Sequence, residues 1–298
     1  QWSKTAWCAH PSMKARPALL QGVAGASALG VVLLYLRWRV RRRARADLLA
    51  AVEAMLMRQL EFLPARQGCP TSRSPLWSVR CGGTWSIFNL DLGGREDQRE
   101  LDAAVERALL ACQEPSLAWW VGPSAPGGLA AALRRRGLEE SAEVLMVCDR
   151  GAMLPPRAAP PAGLTFRSGR AAGADFAAVM REELGEEAEA FYRGVAWDDA
   201  WPLRILVGVL EGRPVAAGSL FWDGTFCGLF DVLVLPRHRR GGVGTATLRA
   251  LLELGRADFG AERFCLSASG ADGLRIYERL GFETVGTCWR FEWNLPEG

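Results

Sequence analysis

Apolar residues recur at intervals of three and four from Asp47 to Phe62, through Leu48, Leu49, Val52, Leu56 and Leu60. That period predicts an amphipathic helix, ending before Pro64. Between Gly151 and Gly163 the periodicity gives way to Pro155, Pro156, Pro160 and Pro161, which predicts a linker and a domain boundary. Downstream, Asp175 to Leu184 reads as a helix, and Arg204 to Leu210 and Val215 to Trp222 read as strands joined by Glu211-Gly212-Arg213-Pro214. A third strand, Cys227 to Val234, runs into a glycine loop. The helix after the loop shows Leu248, Leu251, Leu252 and Phe259 on one face and stops at Gly260. Phe264 to Ala268 is a further strand and Leu274 to Leu280 a short helix stopped by Gly281. Phe282 to Val285 and Cys288 to Trp293 close the chain as two strands. This mixed order predicts an α/β fold with a curved mixed sheet flanked by helices.

The N-terminal segment, residues 1–45, follows a different pattern. Ala18 to Leu36 carries no charge, and its nineteen residues as a helix would span about 28 Å, close to the hydrocarbon thickness of a bilayer. Arg37, Arg39, Arg41, Arg42, Arg43 and Arg45 follow at once. A spanning helix with that flank would leave the rest of the chain in the cytoplasm, tethered to the membrane. The alternative is an unstructured extension, or sequence upstream of the natural start, since the chain opens on Gln1 and Met13 is its first methionine. The expected division is therefore 1–45, a first domain over 46–150, a linker over 151–163 and a second domain over 164–298.

Composition narrows the chemistry. With 49% hydrophobic and 23% charged residues among 298, the chain is expected to fold rather than remain disordered. The net charge of +3 is modest and much of it is local to the arginine cluster, so no nucleic-acid surface is implied. The eight cysteines form no C-x-x-C pair, and His10 and His238 are the only histidines, so no metal site is expected. Cys148, Cys227 and Cys265 lie in apolar runs, as reduced, buried cysteines do, which favours a reducing compartment.

The candidate chemistry lies in Val232-Leu233-Val234-Leu235-Pro236-Arg237-His238-Arg239-Arg240-Gly241-Gly242-Val243-Gly244-Thr245. A strand, a basic turn and glycines that open a helix describe an anion cradle: the glycines allow close approach, and the helix N-terminus offers N–H groups and partial positive charge. The upstream half echoes this plan. Arg107-Ala108-Leu109-Leu110 recurs as Arg249-Ala250-Leu251-Leu252. Gly128-Leu129 with Arg136-Gly137-Leu138 recurs as Gly273-Leu274 with Leu280-Gly281-Phe282. An internal duplication explains both. The upstream loop, Leu92 to Asp97, is acidic where the downstream loop is basic, as if that copy had lost anion binding.

Two motifs in order give the loop a family. Arg239, Gly242 and Gly244 match R/Q-x-x-G-x-G/A, and Tyr277, Gly281 and Phe282 match Tyr-x-x-x-Gly-Phe. The region from Leu164 onward thereby resembles the GNAT superfamily of acyl-CoA-dependent N-acyltransferases, and residues 46–150 resemble the degenerate GNAT-like half of bacterial members. The resemblance implies that Val232 and Val234 pair by backbone with the pantetheine arm of acetyl-CoA. It implies that Arg239, Arg240, Gly241, Gly242, Val243, Gly244 and Thr245 bind the cofactor, with Arg240 to Thr245 donating N–H groups to its pyrophosphate. It implies that Tyr277 is the acid that protonates the departing thiolate during direct transfer to an amine. A phenol with an ordinary pKa of about 10 is protonated at neutral pH. For the base, Asp231 is favoured, beside a water-mediated path and the glutamates Glu182, Glu183, Glu186 and Glu187. Many members place Asn where this chain has Gly270, a gap that Ser267 or Ser269 would have to fill. The upstream equivalent of Tyr277 is Leu133, which marks that half as noncatalytic, there to shape the acceptor pocket, with Trp119 and Trp120 in its core.

The leading expectation is an acetyl-CoA-dependent N-acetyltransferase acting on a small-molecule or peptide amine. The competing one is a noncatalytic acyl-CoA-binding or membrane-tethered module, against which the retention of Tyr277 and of the whole loop speaks. A nucleotide-binding protein fits less well, since no P-loop lysine follows the glycines and the G-x-G-x-x-G spacing is missing.

Overall fold

The computed structural model describes residues 28–73, 76–90, 97–149 and 159–294. The chain divides into two compact units, residues 1–47 and 48–298. In the first, the described residues are the opening part of helix α1 (Ala28–Arg66). The second contains the remainder of α1 and every strand. Its first half runs β1 (Thr71–Ser72), β2 (Leu76–Cys81), β3 (Thr84–Leu90), α2 (Gln98–Ala111), β4 (Ser116–Val121), α3 (Leu129–Arg135) and β5 (Glu139–Asp149). The second half runs β6 (Leu164–Ser168), α4 (Gly173–Leu184), α5 (Glu186–Arg193), β7 (Leu203–Leu210), β8 (Arg213–Trp222) and β9 (Cys227–Val234). It continues with α6 (Val243–Phe259), β10 (Arg263–Ala268), α7 (Ala271–Leu280) and β11 (Glu283–Asn294).

The strands form one sheet in the order β1-β2-β3-β4-β11-β5-β10-β9-β8-β7-β6. Its centre is an exchange. β5, from the first half, lies between β10 and β11 of the second, antiparallel to both. β11, from the second half, lies between β4 and β5 of the first, again antiparallel to both. On either side the same unit recurs: β3 and β4 are parallel and joined by α2, and β9 and β10 are parallel and joined by α6. The duplication read in the sequence is thus a doubled topology around the β5–β11 pair, and the fold is a GNAT-type α/β sheet with a second, degenerate half.

Alternation along the strands separates two faces. Phe264, Leu266, Met146 and Cys148 pack in one cluster with Leu248, Leu251 and Leu252 of α6. Cys265 and Leu145, on the opposite face, pack with Val52, Met55 and Leu56 of α1. In the first half, Leu117, Trp119 and Val121 of β4 meet Leu101 and Val105 of α2 and Leu129 and Leu133 of α3. Phe291, near the end of the chain, is buried in that same first-half cluster.

Several expectations are corrected. Helix α1 does not stop before Pro64 but continues to Arg66. A proline in the last turn forfeits only the bond to the carbonyl four residues back, a small loss where the helix is ending anyway. The two closing strands are one strand, β11, with an irregular register between Thr284 and Gly286. The β7–β8 turn needs only Glu211 and Gly212, whose φ values of 52° and 78° are those of a two-residue hairpin, so Arg213 and Pro214 belong to β8. Glu186 and Glu187 open helix α5. Cys69 and Cys81 are joined in a disulfide. Cys112, Cys148, Cys227, Cys265 and Cys288 are free and buried, and burial pushes the Cys148 thiol up to about 11 and those of Cys227 and Cys288 to about 12. Among the described residues no helix is long and apolar enough to cross a membrane; residues 18–27 of the expected span lie outside them. Most of the proline-rich linker and residues 92–96 of the acidic loop also lie outside the described residues.

Residues 159–298 produced alone would lack β5, the neighbour of both β10 and β11. Circular dichroism and urea unfolding of that fragment are expected to show no cooperative transition. A fragment with a sharp transition and native helix content would contradict the dependence on the exchanged strand.

Candidate active site

β9 and β10 begin as parallel neighbours and then part. They pair only at Phe264↔Cys227 and Cys265↔Gly228. The cause sits in β9: Asp231 has φ 53°, and the register with β8 slips between Ala217 and Ser219. A bulge of this kind turns a strand out of its ladder. Leu229 to Val234 therefore keep β8 on one side and have no ladder with β10 on the other, which leaves a slot in the sheet. Val232 and Val234 lie along that slot, and the Val234 carbonyl already accepts a bond from Arg239 Nε at 2.8 Å.

Past the slot, a single 3-10 turn at Pro236–His238 leads into the glycine loop. Arg240 has φ 65° and Gly242 φ 86°, and Gly242 is the N-cap of α6 with no side chain capping it. The first bond of the helix runs from Ala246 N–H to the Gly242 carbonyl. Among the described residues, the N–H groups of Arg240 to Thr245 have no acceptor, so the helix N-terminus keeps its donors free for an anion. A Cβ at Gly244 would lie 3.4 Å from Val234 Cγ2 and 3.9 Å from Ile276 Cδ1. The loop, the end of β9 and α7 thus converge there. Two of the arginines are held from the side: Arg237 pairs with Glu182 at 2.7 Å, and Arg239 pairs with Glu183. The arginine draws the Glu182 carboxyl below its ordinary range. These glutamates clamp the loop to α4.

Asp231 and Tyr192 were brought together by the fold alone. Asp231 Oδ2 accepts from Ser219 Oγ at 2.8 Å, and its carboxylate also accepts from the Tyr192 hydroxyl on α5. Burial raises the Asp231 carboxyl above its ordinary value, while the two hydroxyls pull it back down. Burial and the neighbouring Asp231 carboxylate push the Tyr192 phenol well up. Tyr277, on α7, is partly buried with its ring edge-on to Phe282, centroids 6.0 Å apart, and burial raises its phenol as well. It is protonated at neutral pH. Gly270 is the N-cap of α7 without a side-chain cap, and Ser269 is exposed.

On the α1 face, a cavity of about 50 Å³ lies where the strands part. Phe230 and Ser267, two residues beyond the last β9–β10 pair, line it with Glu53 and Met57 of α1, Trp120 of β4 and Glu143 of β5. Glu53 is only 3% exposed; its Oε2 accepts from the Ser124 N–H at 2.9 Å, and burial raises its carboxyl. A Cβ at Gly122 would fall 2.1 Å from Glu53 Oε1, so that glycine makes room for the carboxylate. Glu143 is half-buried and has no hydrogen-bond or ion-pair partner among the described residues. A wider hollow of about 350 Å³ shares Leu60 and Trp120 with this cavity. Trp119 is core, as expected, but Trp120 lines both spaces, a correction that follows from strand alternation. Sequence reading passed over Glu53, Ser219, Tyr192 and Glu143. Glu53 had a signal: it interrupts the apolar stripe of Leu49, Val52 and Leu56.

The upstream copy has closed both features. β3 and β4 pair at four positions, from Thr84↔Ser116 to Ile87↔Trp119, against two in the downstream copy. The N-cap of α2 is Asp97, whose carboxylate accepts the Glu100 N–H at 2.8 Å and so fills the place an anion would take. Leu133, standing where Tyr277 stands, is fully buried. Among the described residues there is no group of side chains able to hold a metal ion.

Residues 175–282 match the family model described as the Acetyltransferase (GNAT) family. No curated protein matches the chain. Among solved structures, it is similar to a GCN5-related N-acetyltransferase from Kribbella flavida, with 24% identity and a TM-score of 0.61 over 84% of this chain and 96% of that one. It is also similar to a GCN5-related N-acetyltransferase from Sphaerobacter thermophilus, with 16% identity and a TM-score of 0.55 over 75% and 78% of the two chains. A third is a tandem GNAT protein from the clavulanic acid biosynthesis pathway, with 17% identity and a TM-score of 0.53 over 75% and 79%. These likenesses establish the fold, and the matched segment contains Asp231, the glycine loop and Tyr277. Residues 175–282 thus form a domain of the Acetyltransferase (GNAT) family.

Proposed function

We propose that this protein is an N-acetyltransferase that moves an acetyl group from acetyl-CoA directly to a primary amine. The observation that carries the reading is the uncapped N-terminus of α6 at the end of the β9–β10 slot. In this reading the N–H groups of Arg240, Gly241, Gly242, Val243, Gly244 and Thr245 receive the pyrophosphate, and Arg240 adds positive charge. Val232 and Val234 line the pantetheine arm, and Arg239 braces the strand end rather than reaching for phosphate. The thioester then lies where the strands part, between Tyr277 on one side and the α1-face cavity on the other.

The chemistry needs two proton transfers. The bound ammonium must lose a proton before its lone pair can attack, and the sulfur must gain one as the C–S bond breaks. Asp231, next along β9 to the cavity-lining Phe230, takes the first through water, and its raised pKa improves it as an acceptor. Tyr277 supplies the second. Its phenol recovers a proton from the newly formed amide nitrogen by way of solvent, so the net products are the amide, free thiol and one proton.

Calorimetry with acetyl-CoA, followed by a thiol-release assay over a panel of amines, tests the reading. Absence of coenzyme binding by well-folded protein would refute it, and binding without release on any amine would favour the noncatalytic module. Tyr277→Phe should lower kcat by about 10²-fold or more while leaving the acetyl-CoA Kd unchanged. Gly242→Val should do the reverse: a β-branched residue is strained at φ 86°, so coenzyme binding should weaken at least tenfold. The sign of the pH effect follows from the need for an ionised base. In the wild type, kcat should rise with pH along a limb above the ordinary carboxylate value of 3.8, and Asp231→Asn should lower kcat and erase that limb. Persistence of the same limb in Asp231→Asn would assign the base elsewhere.

A further inference from the structure

The cavity on the α1 face has a lining that restricts what can react there. Its walls are apolar, including Leu56, Met57, Leu145 and Phe230, and its only ionisable oxygens are those of Glu53 and Glu143. No lysine, arginine or histidine lines it. The two carboxylates come from α1 and β5, both in the first half, whereas Phe230 and Ser267 come from the strands that form the slot. Glu53 is fixed by the Ser124 N–H and by the space at Gly122. Glu143 faces the cavity from a half-buried position with its oxygens unpaired among the described residues. At about 50 Å³ the cavity has room for an ammonium group and little more of its stem. The rest of an acceptor would have to lie in the 350 Å³ hollow beyond Leu60 and Trp120, against Val79, Phe88 and Phe191, with Glu187 and Arg290 also on its wall and Arg290 already paired with Glu292 at 2.6 Å.

We infer that this cavity is the seat of the acceptor's amine, that Glu143 is the group that holds its ammonium, and that the acceptor is a primary amine on an apolar stem without a carboxylate beside the nitrogen. The inference rests on the acetyl-transfer reading for its place beside the thioester. The exclusion of α-amino acids follows from charge. A carboxylate one carbon from the nitrogen would enter the same small space and face Glu53 and Glu143 with no cation in that cavity to offset them, the nearest on these walls being Arg290 of the hollow, itself paired with Glu292. An ammonium meets the opposite situation, since a charge-assisted bond to Glu143 replaces the water it leaves. An apolar stem then covers the Trp120 and Leu60 surfaces that separate the cavity from the hollow. The degenerate half thereby acts on specificity: it contributes the charge that selects the acceptor, and the other half contributes the coenzyme site.

The test compares 2-phenylethylamine with phenylalanine, which share a body and differ by the carboxylate. Thiol release from acetyl-CoA should show a kcat/KM for 2-phenylethylamine at least a hundredfold above that for phenylalanine. Glu143→Gln should raise the KM for 2-phenylethylamine at least tenfold, with the Kd for acetyl-CoA and the thermal midpoint unchanged. Equal use of phenylalanine, or an unchanged amine KM in Glu143→Gln, would overturn the assignment. A protein that binds acetyl-CoA but releases no thiol with any amine fails the transferase reading alone. Calorimetric binding of 2-phenylethylamine to the coenzyme-loaded protein, weakened in Glu143→Gln, then still upholds the amine seat, and no binding to folded wild type refutes it.

Discussion

The antiparallel pairing of β5 with β11 is the constraint on which the rest of the structure depends. Each strand is the last of its own half and each completes the other half's sheet. The exchange ties the position of β10, and with it one wall of the slot, to a strand from the degenerate half. It also carries Phe291, with Trp289 and Trp293 packed alongside, into a core whose other buried residues lie upstream of Gly151. Because core packing tolerates little change in volume, the two halves cannot shift independently without breaking both. Glu143 on β5 and Ser267 on β10 therefore hold a fixed relation across the cavity.

The two copies of one plan show how little separates an open helix N-terminus from a capped structural element. In one, a bulge at Asp231 releases β9 from β10 and a glycine leaves the helix N-terminus open. In the other, the ladder continues and Asp97 satisfies the helix with its own carboxylate. An N-cap is worth about 1 kcal/mol to a helix. The open copy forgoes that stabilisation and leaves its donors unpaired. Asp231, strained in φ and raised in pKa, is a further local cost concentrated where the sheet opens.

Much of this was legible in the chain. The glycine loop, the helices stopped by Gly260 and Gly281, and the strands around the loop all have strong local signals, because glycine at positive φ and apolar periodicity act over a few residues. The recurrence of Arg107-Ala108-Leu109-Leu110 gave the duplication. What escaped was decided by contacts between distant segments. The strand exchange leaves no mark on the period of β5 or β11, since both strands read the same whichever neighbour they take. Tyr192 and Ser219 meet Asp231 only through the packing of α5 on the sheet. Trp120 reads as core beside Trp119 until alternation turns it to the other face. Glu143 carries no signal at all, being one of several acidic residues in a solvent-tolerant strand start.

The exchanged strands also set an order of events during synthesis. β5 leaves the ribosome long before its partners β10 and β11 exist, and the first half cannot close over Leu117 and Trp119 until β11 has been made. Contacts this distant in sequence form slowly, and an incomplete sheet offers open edges to other chains in the meantime. The nascent first half is thus the species that a chaperone would have to shelter, and synthesis of β11 is what releases it.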